Sequence, residues 1–178
     1  ARVVTIYSLF SCIACSELFQ RLQKAERTPG SALHAALAGG DLAVRVRLRH
    51  SDKKEFWAEL YARCAKDPIE ATRWMFLPSQ MWNRATLKTA ISTKSIRIEN
   101  STGQFVMKEV LVPEQMSADT FDTCGQDRVA AAALHEGLKA DLKIAPKSTQ
   151  VPVVEIDGKV FTGRDTIFKA LQALVAKN

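Results

Sequence analysis

A β-branched and aromatic run, Val3-Val4-Thr5-Ile6-Tyr7, leads through a short loop, Ser8 to Ser11, into Cys12-Ile13-Ala14-Cys15. The run reads as a short buried strand. Beyond the cysteines, Leu18, Phe19, Leu22 and Ala25 carry helical spacing until Pro29-Gly30 ends it. A C-x-x-C pair therefore opens a helix directly after a strand, and no other feature restricts the fold as much. Ala32 to Ala38 adds helical turns before Gly39-Gly40, and residues 42–49 alternate as a second strand. Leu42, Val44, Val46 and Leu48 share one face of it, while Ala43, Arg45, Arg47 and Arg49 share the other. Strand, helix, strand is the opening βαβ unit of an α/β fold. An arginine-lined face suits an exposed sheet edge, where charge discourages pairing with another molecule.

The middle of the chain changes character. Lys53 to Lys66 is expected to be helical, with Phe56, Leu60 and Tyr61 on one face, and Asp67-Pro68 starts a helix through Trp74, Met75 and Phe76. Pro78 stops that helix, and Met81-Trp82 to Ile91 is expected to form another. Trp57, Trp74 and Trp82 all fall in this stretch and read as helix-packing core. Within residues 95–112, Ile96 and Ile98 alternate with Arg97 and Glu99, and a turn-rich segment precedes Phe105, Met107, Val110 and Val112. That pattern predicts a β-hairpin. Asp119 to Leu142 is expected to be one long helix, broken by Ala145-Pro146. The chain then closes with a strand at Val151–Ile156, a turn at Asp157-Gly158, a strand at Lys159–Thr162 and an amphipathic helix over Arg164–Ala176. Ile167, Phe168, Leu171, Leu174 and Val175 face inward on that helix.

With 178 residues, 47% hydrophobic and 25% charged, the chain fits one domain, or one domain with an insertion, around a substantial core. Those proportions exclude disorder, a collagen-like repeat and a small disulfide-stapled scaffold. The longest strictly apolar run, Val129 to Leu134, is far too short for a membrane span, so the protein is not expected to be membrane-embedded. The net charge of +6 comes largely from residues 1–50. It includes no block of five like charges and no nucleic-acid signature, so it reads as solvated surface. The chain begins at Ala1 rather than Met, which fits removal of a signal peptide or trimming.

The cysteines carry the chemistry. Zinc would want a second C-x-x-C or a paired histidine motif, whereas His34, His50 and His135 stand singly. An iron–sulfur cluster would need Cys64 and Cys124 both to converge on the pair, at spacings that fit no usual pattern. No metal and no bound cofactor are expected. At a helix N-terminus, unpaired N–H groups and the helix dipole stabilise a Cys12 thiolate, which is the nucleophile of disulfide exchange. Cys15, one turn inward, is placed to resolve a mixed disulfide. Phe10, Ile13 and Ala14 are apolar and suit contact with unfolded polypeptide. The rival readings are a buried structural disulfide or a metal site.

The strand ending in Cys12-Ile13-Ala14-Cys15, the helical middle, and Gln150-Val151-Pro152-Val153-Val154 before the Asp157-Gly158 hairpin together resemble the thioredoxin fold. Helices inserted between the second and third strands make the chain similar to the DsbA-like thiol:disulfide oxidoreductases of that superfamily. Thr120-Phe121-Asp122-Thr123-Cys124 before an Ala-rich helix also looks like the end of that family's insertion. The fold implied is α/β, β-α-β followed by β-β-α, with a mainly helical insertion. Residues 1–50 and 143–178 would form one discontinuous domain and 51–142 the insertion.

The resemblance further implies catalytic Cys12 and Cys15, a cis Pro152, and a Val151 backbone exposed to pair with an extended substrate chain. Cys64 and Cys124 fall where some relatives carry a structural disulfide; whether they bond, or remain buried free thiols, stays open. Implied partners are cysteine-containing polypeptides and a membrane redox protein that resets the dithiol, with the protein itself a monomer in the periplasm or another extracytoplasmic space. Two departures stand out. The family's buried carboxylate, six residues before the first cysteine, is Ile6 here, and the intervening dipeptide is Ile13-Ala14. Without a histidine between the cysteines, the couple is expected to be less oxidising than a strong oxidase's. The activity implied is a protein disulfide oxidase. The alternatives are a reductase or isomerase of the same fold, a non-catalytic thioredoxin-fold chaperone or binding module, and a glutathione-transferase-kappa-like enzyme.

Overall fold

In chain order the elements are β1 (Arg2–Ser8), α1 (Ile13–Arg27), α2 (Ala32–Ala38), β2 (Leu42–Leu48), α3 (Lys53–Arg63), α4 (Pro68–Phe76), α5 (Ala118–Cys124), α6 (Arg128–Ile144), β3 (Val153–Ile156), β4 (Lys159–Thr162) and α7 (Arg164–Val175). The structure, a computed structural model, describes residues 2–50, 52–76, 107–146, 148 and 150–176. The helix expected at Met81–Ile91 and the first part of the hairpin, 95–106, lie outside the described residues. The chain divides into two units, Ala1–Arg49 with Asp141–Asn178, and His50–Ala140.

In the first unit, four strands form one sheet among the described residues, in the order β2-β1-β3-β4. β1 and β2 are parallel, and β3 is antiparallel to both β1 and β4. The β3–β4 turn places Asp157 at φ 51° and Gly158 at φ 73°, the left-handed pair that a tight two-residue hairpin demands. One sheet face packs on helices through Val4 and Ile6 of β1, Leu18 and Leu22 of α1, and Ile167 and Leu171 of α7. Burying each such side chain contributes about 1.5–3 kcal/mol. Arg164 pairs with Glu17, and Arg21 with Asp165 at 2.6 Å, both near the surface where ion pairs contribute little.

β2 does lie at a sheet edge, but its arginines divide their labour. Arg45 is exposed. Arg47 instead meets Asp141 at 3.4 Å, and Arg49 stacks its guanidinium over the Tyr7 ring. The reading of all three as edge guards is therefore corrected for two of them. Alternation showed which residues share a face, not what chain would cover that face.

In the second unit, Asp52 caps α3 by accepting the Lys54 and Glu55 N–H groups at 2.9 and 3.0 Å, and Asp67 does the same for α4 through Ile69 and Glu70. Two expectations fail here. Residues 107–111 are helical rather than the second arm of a hairpin, with Met107 and Leu111 buried four apart. Val110 and Val112 had suggested alternation, but the buried positions follow the helical period. The single helix expected over Asp119–Leu142 is two, α5 and α6. Asp127 causes the break by accepting the Val129 and Ala130 N–H groups at 2.9 Å, which starts a new helix.

Gly125 ends α5 against an aromatic pair. Tyr61 stacks on Phe121 with ring centroids 3.9 Å apart and planes 8° from parallel. A Cβ on Gly125 would lie 2.6 Å from the Tyr61 hydroxyl and 3.4 Å from two ring carbons. The stacked, buried ring has nowhere to retreat. Gly125→Ala should therefore cost about 1–3 kcal/mol of stability, measured by denaturant unfolding, the usual range for overpacking.

Glu59 is nearly buried and lies between His50 and Arg63. Its Oε2 lies 2.7 Å from His50 Nε2, and its Oε1 accepts from Arg63 at 2.5 and 2.9 Å. Burial pushes its carboxyl up, but the hydrogen bonds from His50 and Arg63 outweigh burial and hold it below the ordinary value of 4.5. A lowered folded-state pKa contributes stability that is present above the unfolded value and lost as pH falls through the folded one. Unfolding free energy should thus decline below about pH 4.5. Glu59→Gln should flatten that decline and cost about 2 kcal/mol at pH 7, both readable from denaturant titrations between pH 3 and 7.

Candidate active site

Cys12 is the N-cap of α1, with φ −85° and ψ 111°. Its N–H closes a turn onto the Leu9 carbonyl at 3.3 Å, and its own carbonyl receives the Cys15 and Ser16 N–H groups at 3.1 Å each. The helix begins here because Cys15, Leu18 and Leu22 form its buried face, so the chain must turn onto the sheet just ahead of them. The Cys15 N–H also donates to Cys12 Sγ at 3.1 Å. No acidic residue occupies the first turn of α1. A sulfur anion at Cys12 would thus meet a backbone donor and the positive end of the helix dipole, with no first-turn carboxylate opposing it.

Cys12 and Cys15 are disulfide-bonded, with Cα atoms 5.2 Å apart. Cys12 is partly accessible and Cys15 is fully buried. That asymmetry separates a sulfur that partners can reach from one that they cannot. The Val151–Pro152 peptide bond is cis, and the Val151 carbonyl oxygen lies 3.6 Å from Cys12 Sγ. Pro152 is buried, precedes β3 and gives its carbonyl to the Gly163 N–H at 3.0 Å. Gly163 holds φ 79° there, a backbone region that side-chain-bearing residues avoid.

Of the residues expected to offer apolar surface, Ile13 is more than half exposed and Ala14 partly so. Phe10 is fully buried and corrects the expectation: it is core beneath the loop, not contact surface. Its apolar character alone could not distinguish the two. Ile6 is also fully buried, within the apolar cluster. Among the described residues, no group of three or more His, Cys, Asp or Glu side chains could hold a metal ion.

Arg49 was not recognised from sequence as part of this region. It donates to the Pro146 carbonyl at 2.8 Å and the Ser148 carbonyl at 2.6 Å, clamping the segment that enters the cis-proline turn. Arg49→Met keeps the stem but loses both bonds. It should cost about 2–3 kcal/mol and speed backbone hydrogen exchange at Ser148, Gln150 and Val151. The available signal was its position as the last residue of the alternating arginine face.

The fold is the thioredoxin fold with a helical insertion, in the arrangement of the DsbA structures. A protein-disulfide isomerase from Novosphingobium aromaticivorans matches at a TM-score of 0.71 and 13% identity, over 97% of this chain and 91% of that one. Alpha-DsbA1 from Wolbachia pipientis matches at 0.67 and 14% identity, over 98% of this chain and 86% of that one. The oxidoreductase NmDsbA1 from Neisseria meningitidis matches at 0.52 and 18% identity, over 98% of this chain and 82% of that one. No protein-family model matches the sequence, and neither does any curated protein sequence.

Proposed function

We propose that the protein is a thiol:disulfide oxidoreductase that exchanges disulfides with cysteine-containing polypeptides through Cys12 and Cys15. The observation that carries this reading is the Cys12 sulfur, accessible at a helix N-terminus, bonded to a buried Cys15 and held beside the carbonyl that precedes a cis-proline. A substrate thiolate attacks Cys12, the Cys12–Cys15 bond breaks, and a mixed disulfide forms. A second substrate thiolate then displaces Cys12. The substrate leaves as a disulfide, and the protein keeps the two electrons as a dithiol. Ile13, Ala14 and Val151 contact the passing chain, with the Val151 backbone pairing to it as a strand. Residues 1–50 and 143–178 act as the catalytic domain and 51–142 as its insertion.

We further propose that it acts as an oxidase, as a monomer outside the cytoplasm, with a membrane redox protein returning the dithiol to the disulfide. No helix among the described residues is long and apolar enough to cross a membrane. The test is to mix the oxidised protein with a reduced, unfolded two-cysteine peptide. One peptide disulfide should form for each protein disulfide consumed. If the peptide stays reduced while the Cys12–Cys15 bond persists, the reading fails.

A further inference from the structure

Arg49 is fixed to the sheet at two points. Its N–H donates to the Ser8 carbonyl at 2.7 Å, and its guanidinium lies over the Tyr7 ring, 5.4 Å from the centroid. Tyr7 is buried and pairs with Val153 of β3, so the guanidinium rests against a central strand. From there Nη1 donates to the Ser148 carbonyl at 2.6 Å and Nη2 to the Pro146 carbonyl at 2.8 Å. Nε is buried with no hydrogen-bond partner among the described residues. A buried donor left unpaired is costly, and an apolar residue would avoid that cost. The two bonds that the fork does make therefore call for a reason beyond filling space.

Those bonds begin a chain of contacts that ends at the reacting sulfur. The Ser148 hydroxyl accepts the Gln150 N–H at 3.1 Å and donates to the Gln150 carbonyl at 3.4 Å. Gln150 precedes Val151, whose carbonyl oxygen lies 3.6 Å from Cys12 Sγ. On the far side of the cis bond, the Gly163 N–H holds the Pro152 carbonyl at 3.0 Å. The β1–β3 ladder stops at Tyr7 and Val153, short of Val151. The Val151 backbone thus takes its direction from two anchors, Gly163 after the cis-proline and Arg49 before it.

We propose that Arg49 is a positioning residue that sets the Val151 backbone for strand pairing and so gives the site its preference for polypeptide over small thiols. This rests on the disulfide-exchange reading above. A polypeptide that pairs with Val151 needs its N–H and C=O in fixed directions, and every torsion left free must be ordered on binding. A small dithiol needs only to reach Cys12 Sγ, which is partly accessible. Either reductant gives two electrons and two protons to the Cys12–Cys15 bond and leaves as its own disulfide. Arg49 contributes nothing to that balance.

The test follows reduction of the Cys12–Cys15 disulfide by a reduced two-cysteine peptide and by dithiothreitol, each at rising concentration. Wild type is compared with Arg49→Met, Arg49→Lys and Ser148→Ala. Arg49→Met should raise the half-saturating peptide concentration about tenfold and leave the limiting rate within about twofold of wild type. Its reduction by dithiothreitol should also stay within about twofold. Arg49→Lys keeps the charge without the fork and should fall between. Ser148→Ala cuts the chain one link nearer Val151, at a partly exposed residue, and should raise the half-saturating concentration about threefold. An unchanged value in the arginine variants, or in Ser148→Ala should those not fold, overturns the role of Arg49 alone, as do equal losses toward peptide and dithiothreitol. A wild-type disulfide that dithiothreitol reduces and the peptide does not overturns the disulfide-exchange reading, and this inference with it.

Discussion

Replacing Cys12 with serine should lower the rate of disulfide exchange by on the order of 10³-fold or more, since a hydroxyl cannot form the mixed disulfide. The fold should survive, because Cys12 is partly exposed and a serine oxygen can accept the Cys15 N–H that its sulfur accepts now. Cys15→Ser should behave differently. Cys12 would still be free to form a mixed disulfide with an oxidised substrate, but the buried thiol that releases it would be gone. A covalent protein–substrate adduct should accumulate and vanish on adding dithiothreitol. The pair of variants therefore distinguishes an attacking cysteine from a resolving one. If both show the same residual rate and neither traps substrate, the assignment of roles is wrong.

The second large effect lies in the other unit. Cys64 and Cys124 are bonded, with Cα atoms 6.3 Å apart, and close a loop of 60 residues. A loop of that length, cross-linked, restricts the unfolded chain by about 4 kcal/mol. At roughly 2–4 °C per kcal/mol for a chain of this size, Cys64→Ala with Cys124→Ala should lower the melting temperature by about 10 °C. Neither residue belongs to the candidate active site, so exchange activity below the new transition should persist. The single variant Cys64→Ala should be more harmful, because it leaves a lone buried thiol at Cys124 that is able to capture Cys12 or Cys15 on unfolding. A double variant that melts with wild type would show that the bond contributes little.

The sequence made the core of the site legible for a physical reason. A strand, a C-x-x-C and a helix of apolar period leave few geometries open, and they sufficed to put Cys12 at a cap and Cys15 on the buried face. The hairpin at Asp157-Gly158 was equally plain, since those residue types tolerate the positive φ that such a turn requires. What patterning could not convey was cover. Phe10 and Ser8 sit two residues apart near the cysteines, and both are fully buried, although one read as contact surface and the other as loop. Arg49 looked like an edge guard, but it turns its guanidinium to the Pro146 and Ser148 carbonyls. Residues 107–111 misled because two valines mimicked alternation, and α5 and α6 merged because Asp127 is as compatible with a helix surface as with a cap.

The reduction potential of the Cys12–Cys15 couple reaches furthest into this account. An exchange-active dithiol at a helix N-terminus, without a histidine between its cysteines, requires a value between about −270 mV, typical of thioredoxin, and about −120 mV, typical of the strongest oxidase. Equilibration with glutathione buffers, read by trapping free thiols, gives the value directly. A potential below about −300 mV, where structural disulfides lie, would contradict the account and leave Cys12–Cys15 as a brace rather than a reagent.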